Sequence, residues 1–175
     1  GAGAYIWGEE TSLMNSLEGR RAYPRIKPPF PAQVGVFGMP TTINNVETLA
    51  DVPLIVNRGA AWFAGIGTEK HTGPVLYGIS GHVNRPGVYE YPAGMLIPDL
   101  LEVAGGARGG KKIKAVVPGG SSTPPLTWAM AKDATMDAET LREAGSSMGT
   151  AGLCFLDEDT DMVSFTRRIA HFYHH

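Results

Sequence analysis

The stretch GPVLYGISGHVNRPGVYEYPAGMLIPDLLEVAGG, residues 73–106, decides the fold of the second part of this chain. GPVLYGISGHV predicts a strand, and Arg85-Pro86-Gly87 leads into a second strand, VYEYP, so the pair predicts a β-hairpin. A short helix follows, because apolar residues recur on one helical face and two glycines then end the helix. The residues of that face are Ile97, Leu100, Leu101 and Ala104.

The residues that follow complete a small α+β fold. IKAVVPGG predicts a third strand and GLCFLDE a fourth, separated by a long insertion with one short helix around MDAETLREAG. The order β-β-α-β-…-β describes a roll in which one helix covers one sheet. The end of the chain, DTDMVSFTRRIAHFYHH, predicts a helix, since Met162, Phe165, Ile169 and Phe172 recur at helical spacing.

Toward the N-terminus, residues 1–67 predict helices and loops. Residues 9–18 favour a helix that stops at Gly19, and the proline-rich segment that follows is too stiff for a regular element and presents Phe30. Asn44 with Glu47 three residues later has the pattern of a capping box at the start of a second helix. Pro53 is expected to limit or kink this helix.

Composition narrows the class of protein. The 175 residues are 43% apolar and 18% charged, which is typical of a globular chain, and the net charge of -2 argues against a general nucleic-acid surface. Cys154 is the single cysteine and lies in an apolar run, which favours a buried core residue and a reducing compartment. No apolar run is long enough to span a membrane. The chain starts with Gly inside an apparent loop, so we expect a fragment of a longer protein.

The N-terminal sequence GAGAYIWGEE combines glycines with two adjacent carboxylates. The spacing of Gly1, Gly3 and Gly8 does not fit the dinucleotide fingerprint, and a tight turn is the simpler interpretation. Glu9 and Glu10 have two interpretations: acids in the first turn that complement the helix dipole, or carboxylates beside a flavin and a nicotinamide.

Three other motifs also have a structural and a functional interpretation. Phe30 is either a core plug or an exposed platform for stacking on an adenine. Asn44 and Asn45 either cap a helix or offer amides to a phosphate or sugar chain. The segment 118–122, PGGSS, is either an anion-binding nest or a strand-ending turn, and the turn is favoured. A zinc site at His171 and His175 is disfavoured because no third ligand has suitable spacing.

Taken in order, several segments resemble the NADH-oxidising, FMN-binding flavoprotein family of NADH:quinone oxidoreductase (complex I). They are GAGAYIWGEETSLMNSLEGRR, KPPFPA, GMPTTINNVETLA, GTEK, ISGHVNRPGVYE and VPGGSS. The resemblance covers nearly the whole chain and extends to the diaphorase subunits of NAD-linked hydrogenases and formate dehydrogenases. A non-catalytic SLBB ligand-binding module is the alternative from another class, although such a module would not need residues 1–67.

The resemblance implies a fold class of α/β plus α+β. Residues 1–67 would be the C-terminal part of a Rossmann-like FMN/NADH-binding domain. Residues 72–157 would be a ubiquitin-like β-grasp (SLBB) domain, and residues 158–175 the start of a helical domain that carries a [4Fe-4S] cluster.

The resemblance also implies roles for the candidate residues. Gly8, Glu9 and Glu10 would lie beside the flavin, with Glu10 also meeting the nicotinamide end of NAD(H). Phe30 would stack on the adenine, and Asn44 and Asn45 would hold FMN. No residue of the chain is expected to act as a nucleophile or to give a proton to the hydride.

The same family implies the setting of the protein. Its partners would be the other subunits of a respiratory complex, including a thioredoxin-like [2Fe-2S] subunit, on the cytoplasmic face of the inner membrane as part of a peripheral arm, without membrane insertion. Two departures stand out. Trp7 occupies a position where Cys or a small residue is expected, and the glycine-rich FMN loop and the cluster cysteines are absent from the sequence. The isolated chain is therefore expected not to hold FMN, NADH or the cluster properly.

Overall fold

The computed structural model describes residues 4–174, which divide into two compact units between Asn57 and Arg58. Seven helices and five strands are seen in this part of the chain. The helices are α1 (Glu10–Leu17), α2 (Val46–Arg58), α3 (Ala60–Ala64), α4 (Ile97–Val103), α5 (Trp128–Ala131), α6 (Ala138–Glu143) and α7 (Met162–His174). The strands are β1 (Pro74–Gly81), β2 (Gly87–Pro92), β3 (Ile113–Val117), β4 (Leu126–Thr127) and β5 (Gly152–Asp157).

The first unit consists of α1, most of α2, two short 3₁₀ turns and the loops between them. The helix predicted over 9–18 is confirmed as α1, and Gly19 adopts the left-handed backbone (φ 74°) that suits a helix stop. Its buried residues are largely polar: Thr11, Ser12 and Asn15 lie inside with Met14. No strand occurs in the described part of this unit, so it contributes helices and loops to the mixed α/β fold.

Of the two predictions for Pro53, that it limits the second helix is wrong, and that it kinks the helix stays a prediction. Pro53 lies inside α2, which continues to Arg58. A proline removes only its own N–H and crowds one carbonyl, so the residues after it keep their helical hydrogen bonds. Gly59 separates α2 from α3, because it has φ 90° and α3 begins at the next residue.

The second unit is built on one mixed sheet with the strand order β2-β1-β5-β3-β4. β1 pairs antiparallel with β2 and parallel with β5, and β3 pairs antiparallel with β5 and β4. The predicted hairpin, its two further strands and the covering helix α4 are all confirmed. The core between α4 and the sheet is apolar and almost fully buried, and includes Tyr77, Ile79, Ile97, Leu100, Leu153 and Phe155.

Two short elements of the insertion were not predicted. The two-residue strand β4 and the four-residue helix α5 adjoin in the segment LTWAMA. Both are too short for a periodic apolar pattern, which needs several residues to be recognised. The predicted helix around MDAETLREAG is confirmed as α6, and the predicted C-terminal helix as α7. No helix within residues 4–174 combines the length and the apolar character needed to cross a membrane.

Candidate functional site

Glu9 caps the helix that it precedes. It is the N-cap of α1, and its Oε2 accepts hydrogen bonds from the Ser12 backbone N–H (2.8 Å), the Ser12 hydroxyl (3.2 Å) and the Thr11 hydroxyl. Both donors are buried, with 1% of Thr11 and none of Ser12 exposed. The carboxylate is therefore held in one orientation at the helix N-terminus, which is the first-turn interpretation of this residue.

These donors control the ionisation of Glu9. Burial alone would raise its pKa, but the hydrogen bonds from Thr11 and Ser12 outweigh burial and lower the pKa from 4.5 to about 2. Glu9 is therefore ionised at every physiological pH. It can accept hydrogen bonds, and it is far too weak a base to remove a proton at neutral pH.

Glu10 is oriented by Lys27, a lysine that is distant in the sequence and in direct contact in the structure. The Lys27 ammonium forms a short ion pair with Glu10 and lies 3.5 Å from Oε1 of Glu9. The hydrogen bond with Glu10 raises the pKa of Lys27. One cation thus lies between two adjacent carboxylates, which reduces their mutual repulsion.

Lys27 also connects the carboxylates to the proline-rich segment. Pro28 follows it directly, and Phe30 lies three residues later with 54% of its surface exposed. The neighbouring Pro31 is buried, and the Phe30 carbonyl accepts N–H groups of Gln33 (2.8 Å) and Val34 (3.0 Å). The ring is therefore held on an ordered turn and is exposed in the described part of the chain. Its stacking on an adenine stays a prediction.

The roles of the two asparagines differ from the expected ones. α2 begins at Val46, so Asn45, and not Asn44, precedes the helix, and its Oδ1 accepts the Glu47 N–H at 2.9 Å. Glu47 is consequently the second helical residue and not the third, so the spacing that a capping box requires is not met. The sequence could not decide between two adjacent amides that cap equally well. Asn44 is exposed, and its side chain makes no hydrogen bond within the described residues.

Trp7 lies in the 3₁₀ turn Tyr5–Gly8, which directly precedes Glu9. Its Nε1–H is buried and has no hydrogen-bond partner among residues 4–174. Buried donors are normally paired, so the indole N–H can donate a hydrogen bond to an additional acceptor. Gly8, in the same turn, is exposed and has open space where a side chain would lie.

Three residues that the sequence did not single out organise this part of the molecule: Thr11, Arg25 and Lys27. Each joins α1 to the loop that follows it, through pairs such as Thr11 with Arg25 and Glu10 with Lys27. Such long-range pairs have no periodic signal. The one available hint was electrostatic, because a nearby cation reduces the repulsion between two adjacent carboxylates.

The segment 118–122 has a structural role. The N–H of Gly119 donates a hydrogen bond to the Thr123 hydroxyl oxygen (3.1 Å). A Cβ on Gly119 would meet the Met148 carbonyl oxygen at 2.4 Å, so the 118–122 segment is a packed turn.

No cluster of three His, Cys, Asp or Glu side chains able to hold a metal occurs within residues 4–174. Gly1, Gly3 and His175 lie outside the described residues. Cys154 is partly buried, and burial raises the pKa of its thiol.

Comparison with known families divides the chain into two matched parts. Residues 1–54 match the Nuo51 FMN-binding domain, and residues 76–164 match the SLBB domain. All of the candidate residues Gly8, Glu9, Glu10, Phe30, Asn44 and Asn45 fall within the first match.

Relatives cover the whole of the chain. It is 53% identical over 176 residues to an F subunit of NADH-quinone oxidoreductase from Rhizobium meliloti and 51% identical over 177 residues to the F subunit of Rickettsia bellii. It is also 53% identical over 175 residues to the F subunit of Mycobacterium tuberculosis. All of this chain is matched, but it spans only 42%, 42% and 39% of these relatives.

The fold also matches solved structures. An NAD+-reducing [NiFe]-hydrogenase in the air-oxidized state superimposes with a TM-score of 0.83 at 36% identity. That match covers 98% of this chain and 29% of the hydrogenase chain. The H2-reduced state of such an enzyme matches with the same TM-score at 37% identity.

Proposed function

Because the chain belongs to the SLBB domain family and joins that domain to a segment matching the Nuo51 FMN-binding domain, we propose that it is part of the NADH-oxidising flavoprotein subunit of an NADH-quinone oxidoreductase. One observation carries the proposal: the FMN-binding match covers residues 1–54, which contain every candidate site residue. Identities of 51–53% over the full chain to F subunits of such enzymes support it.

The unpaired polar groups of the first unit fit a flavin. The buried Nε1–H of Trp7 needs an acceptor, and the exposed Asn44 amide offers both a donor and an acceptor. Flavin carbonyls, ring nitrogens and ribityl hydroxyls supply complementary groups. We propose that Trp7, Gly8 and Asn44 contact FMN, and that Asn45, which is engaged at α2, orders the turn that presents Asn44. When bound, FMN accepts a hydride from NADH and releases electrons one at a time.

The carboxylates and Phe30 fit a dinucleotide. We propose that Phe30 stacks on the adenine, because its ring is exposed and its backbone is restrained by prolines, so that little entropy is lost on stacking. Glu10 accepts hydrogen bonds from a hydroxyl or amide of NAD(H). Glu9 provides a fixed negative charge close to Glu10, which favours the oxidised, cationic nicotinamide.

The iron–sulfur and assembly features extend the proposal beyond this chain. Cys154 is the single cysteine, so the chain does not fit a cluster held by several thiolates, and a [4Fe-4S] cluster would take its ligands from other residues of the whole protein. We propose further that this protein works with a thioredoxin-like [2Fe-2S] subunit in a peripheral arm on the cytoplasmic face of the membrane. The relatives are named as subunits, which supports a multi-subunit assembly.

A chimera tests the proposal directly. This chain would replace the corresponding residues of the Rhizobium meliloti protein, and FMN content and NADH oxidation with ferricyanide would be measured. We expect a flavin-loaded, active chimera. Glu10→Gln should weaken NADH binding roughly tenfold, the value of one charge-assisted hydrogen bond.

The matched control for that variant is Glu69→Gln. Glu69 is exposed and makes no hydrogen bond or ion pair within the described residues. A folded chimera without flavin, or equal NADH affinity for Glu10→Gln and Glu69→Gln, would contradict the proposed role.

A second candidate function is supported by the hydrogenase match. The chain would then belong to the NAD-linked diaphorase part of such an enzyme, with the same flavin and dinucleotide site. Purification of the tagged native protein with its partners separates the two functions. Stoichiometric nickel in the complex would support the hydrogenase, and NADH-dependent quinone reduction without nickel would support the oxidoreductase.

A further inference from the structure

Arg25 lies at the centre of a hydrogen-bond network that begins at Glu9. The network consists of Glu9, Thr11, Asn15, Glu18 and Arg25, and we call it the Arg25 network. All of its members belong to the first unit, and they join α1 to the loop that follows it.

The Thr11 hydroxyl has a defined direction. The Arg25 backbone N–H donates to Thr11 Oγ1 at 2.7 Å, and an N–H can only donate. Thr11 has a single hydroxyl hydrogen, which is therefore directed to Glu9 Oε2. Arg25 thus determines which way the hydroxyl points, and the hydroxyl in turn fixes the carboxylate.

The Arg25 side chain fixes the position of that backbone N–H. Its Nε donates to Asn15 Oδ1 at 2.8 Å, its Nη2 lies 2.8 Å from Glu18 Oε2, and its Nη1 donates to the Gly35 carbonyl at 3.4 Å. Arg25 therefore spans α1, with its backbone at the first turn and its guanidinium at the last. A guanidinium keeps its charge at all relevant pH values, so these contacts do not titrate through Arg25.

The far end of the network is also constrained. Glu18 accepts the Phe37 N–H at 2.8 Å, and Phe37 has φ 53°, a left-handed backbone that is uncommon for an aromatic residue. The hydrogen bond with Arg25 is the main cause that lowers the pKa of Glu18. A groove of about 460 Å³ opens here and includes Glu18, Arg25 and Phe37 in its lining.

We propose that Arg25 is a positioning residue for the Glu9 carboxylate: through the Thr11 hydroxyl it fixes the orientation of the acid that we place in the dinucleotide site. This inference rests on the proposed function only in placing Glu9 in the dinucleotide site. The other charged groups near Glu9 are Glu10 and Lys27, and the Lys27 ammonium pairs with Glu10 and lies 3.5 Å from Glu9 Oε1. The Arg25 guanidinium contacts Glu18 and Asn15 instead.

The test is a titration of the Glu9 carboxyl in the 175-residue chain by carbon-detected NMR. Thr11→Val removes the hydroxyl and keeps the shape of the side chain, and it should make Glu9 roughly tenfold weaker as an acid. Arg25→Met keeps the N–H but loses the guanidinium contacts, and should shift the titration in the same direction by a smaller amount. Arg25→Lys should restore part of the difference.

The control is Arg20→Met. The Arg20 side chain is 72% exposed and meets only Glu18, at 3.5 Å, within the described part of the chain, so Glu9 should titrate as in the parent chain. If Arg25→Met and Arg20→Met titrate alike, Arg25 has only a structural role and the proposal fails. Thr11→Val provides an independent check. An unchanged Glu9 titration in this variant would show that the Thr11 hydroxyl does not connect Arg25 to Glu9.

NADH affinity of the same variants in the chimera separates this proposal from the proposed function. A shifted Glu9 titration with weaker NADH binding supports both. A shifted titration with unchanged NADH affinity supports the positioning role of Arg25 and contradicts the use of Glu9 in the dinucleotide site.

Discussion

Different interactions stabilise the interior of each of the two units of the chain. The second unit, from Arg58 onward, has a continuous apolar core in which residues such as Phe155 and Leu153 are completely buried. In the described part of the first unit, Met14 is the one large apolar side chain that is fully buried. The other buried residues of α1 are polar: Thr11, Ser12 and Asn15. The first unit therefore depends on hydrogen bonds and ion pairs, and the candidate site lies in the unit where polar groups already determine the structure.

The largest effect on stability is expected from a substitution in the apolar core. Phe155 lies on the central strand β5 with none of its surface exposed, and Phe155→Ala removes its packing and leaves a cavity. We expect a loss of about 3–5 kcal/mol in the free energy of unfolding, measured by denaturant titration. Phe30→Ala in the first unit is the matched control, since Phe30 is exposed, and it should change stability little. Equal losses would refute the contrast between the units.

A smaller effect is expected from the polar interior. Asn15 is 9% exposed, donates to the Tyr23 carbonyl and accepts from Arg25 Nε. Asn15→Ala leaves both partners unpaired and should cost about 1–3 kcal/mol. Hydrogen exchange should show faster opening in the first unit and unchanged protection of β1 and β5. Exposed Asn57→Ala is the control, and faster exchange across both units would contradict independent stabilisation.

Acid should weaken the first unit in part through Glu9. The pKa of Glu9 is about 2 in the folded chain and 4.5 in the reference state, so the unfolded chain binds this proton more readily. The stabilisation is fully present above pH 4.5 and is lost as the pH falls from 4.5 toward 2. The amide signals of α1 should therefore weaken over this range, and Glu9→Gln should reduce that dependence. Glu69→Gln should retain it, and an identical profile for all three chains would exclude Glu9 as the cause.

The smallest effect is expected at the surface of the second unit. Lys70 and Glu139 form an ion pair of 2.8 Å, but their side chains are 70% and 48% exposed. Solvent and salt screen such pairs, so Lys70→Met should leave the unfolding midpoint unchanged within error at about 0.15 M salt. A clear loss of stability would show that surface charge matters in the unit we assign to apolar packing.

The accuracy of the sequence predictions follows the same division. The strands and helix of residues 73–106 were predicted correctly because apolar burial leaves a period in the sequence. The cap of α2 was predicted one residue early, since Asn44 and Asn45 are chemically equal. The joining of Glu10 to Lys27, and of Thr11 to Arg25, was not predicted, because ion pairs and single hydrogen bonds between distant residues leave no pattern.

The contact between Phe63 and Gly73 has a practical consequence for dividing the chain. The Phe63 ring lies where a Cβ of Gly73 would be, at 2.2 Å from its position, so α3 packs against the residue that precedes β1. A fragment that starts at residue 68 would lose this ring and expose the backbone beneath it. A fragment that starts at Arg58 keeps α3 with the sheet, and it is the fragment that we would choose for crystallisation or for binding assays on the second unit alone.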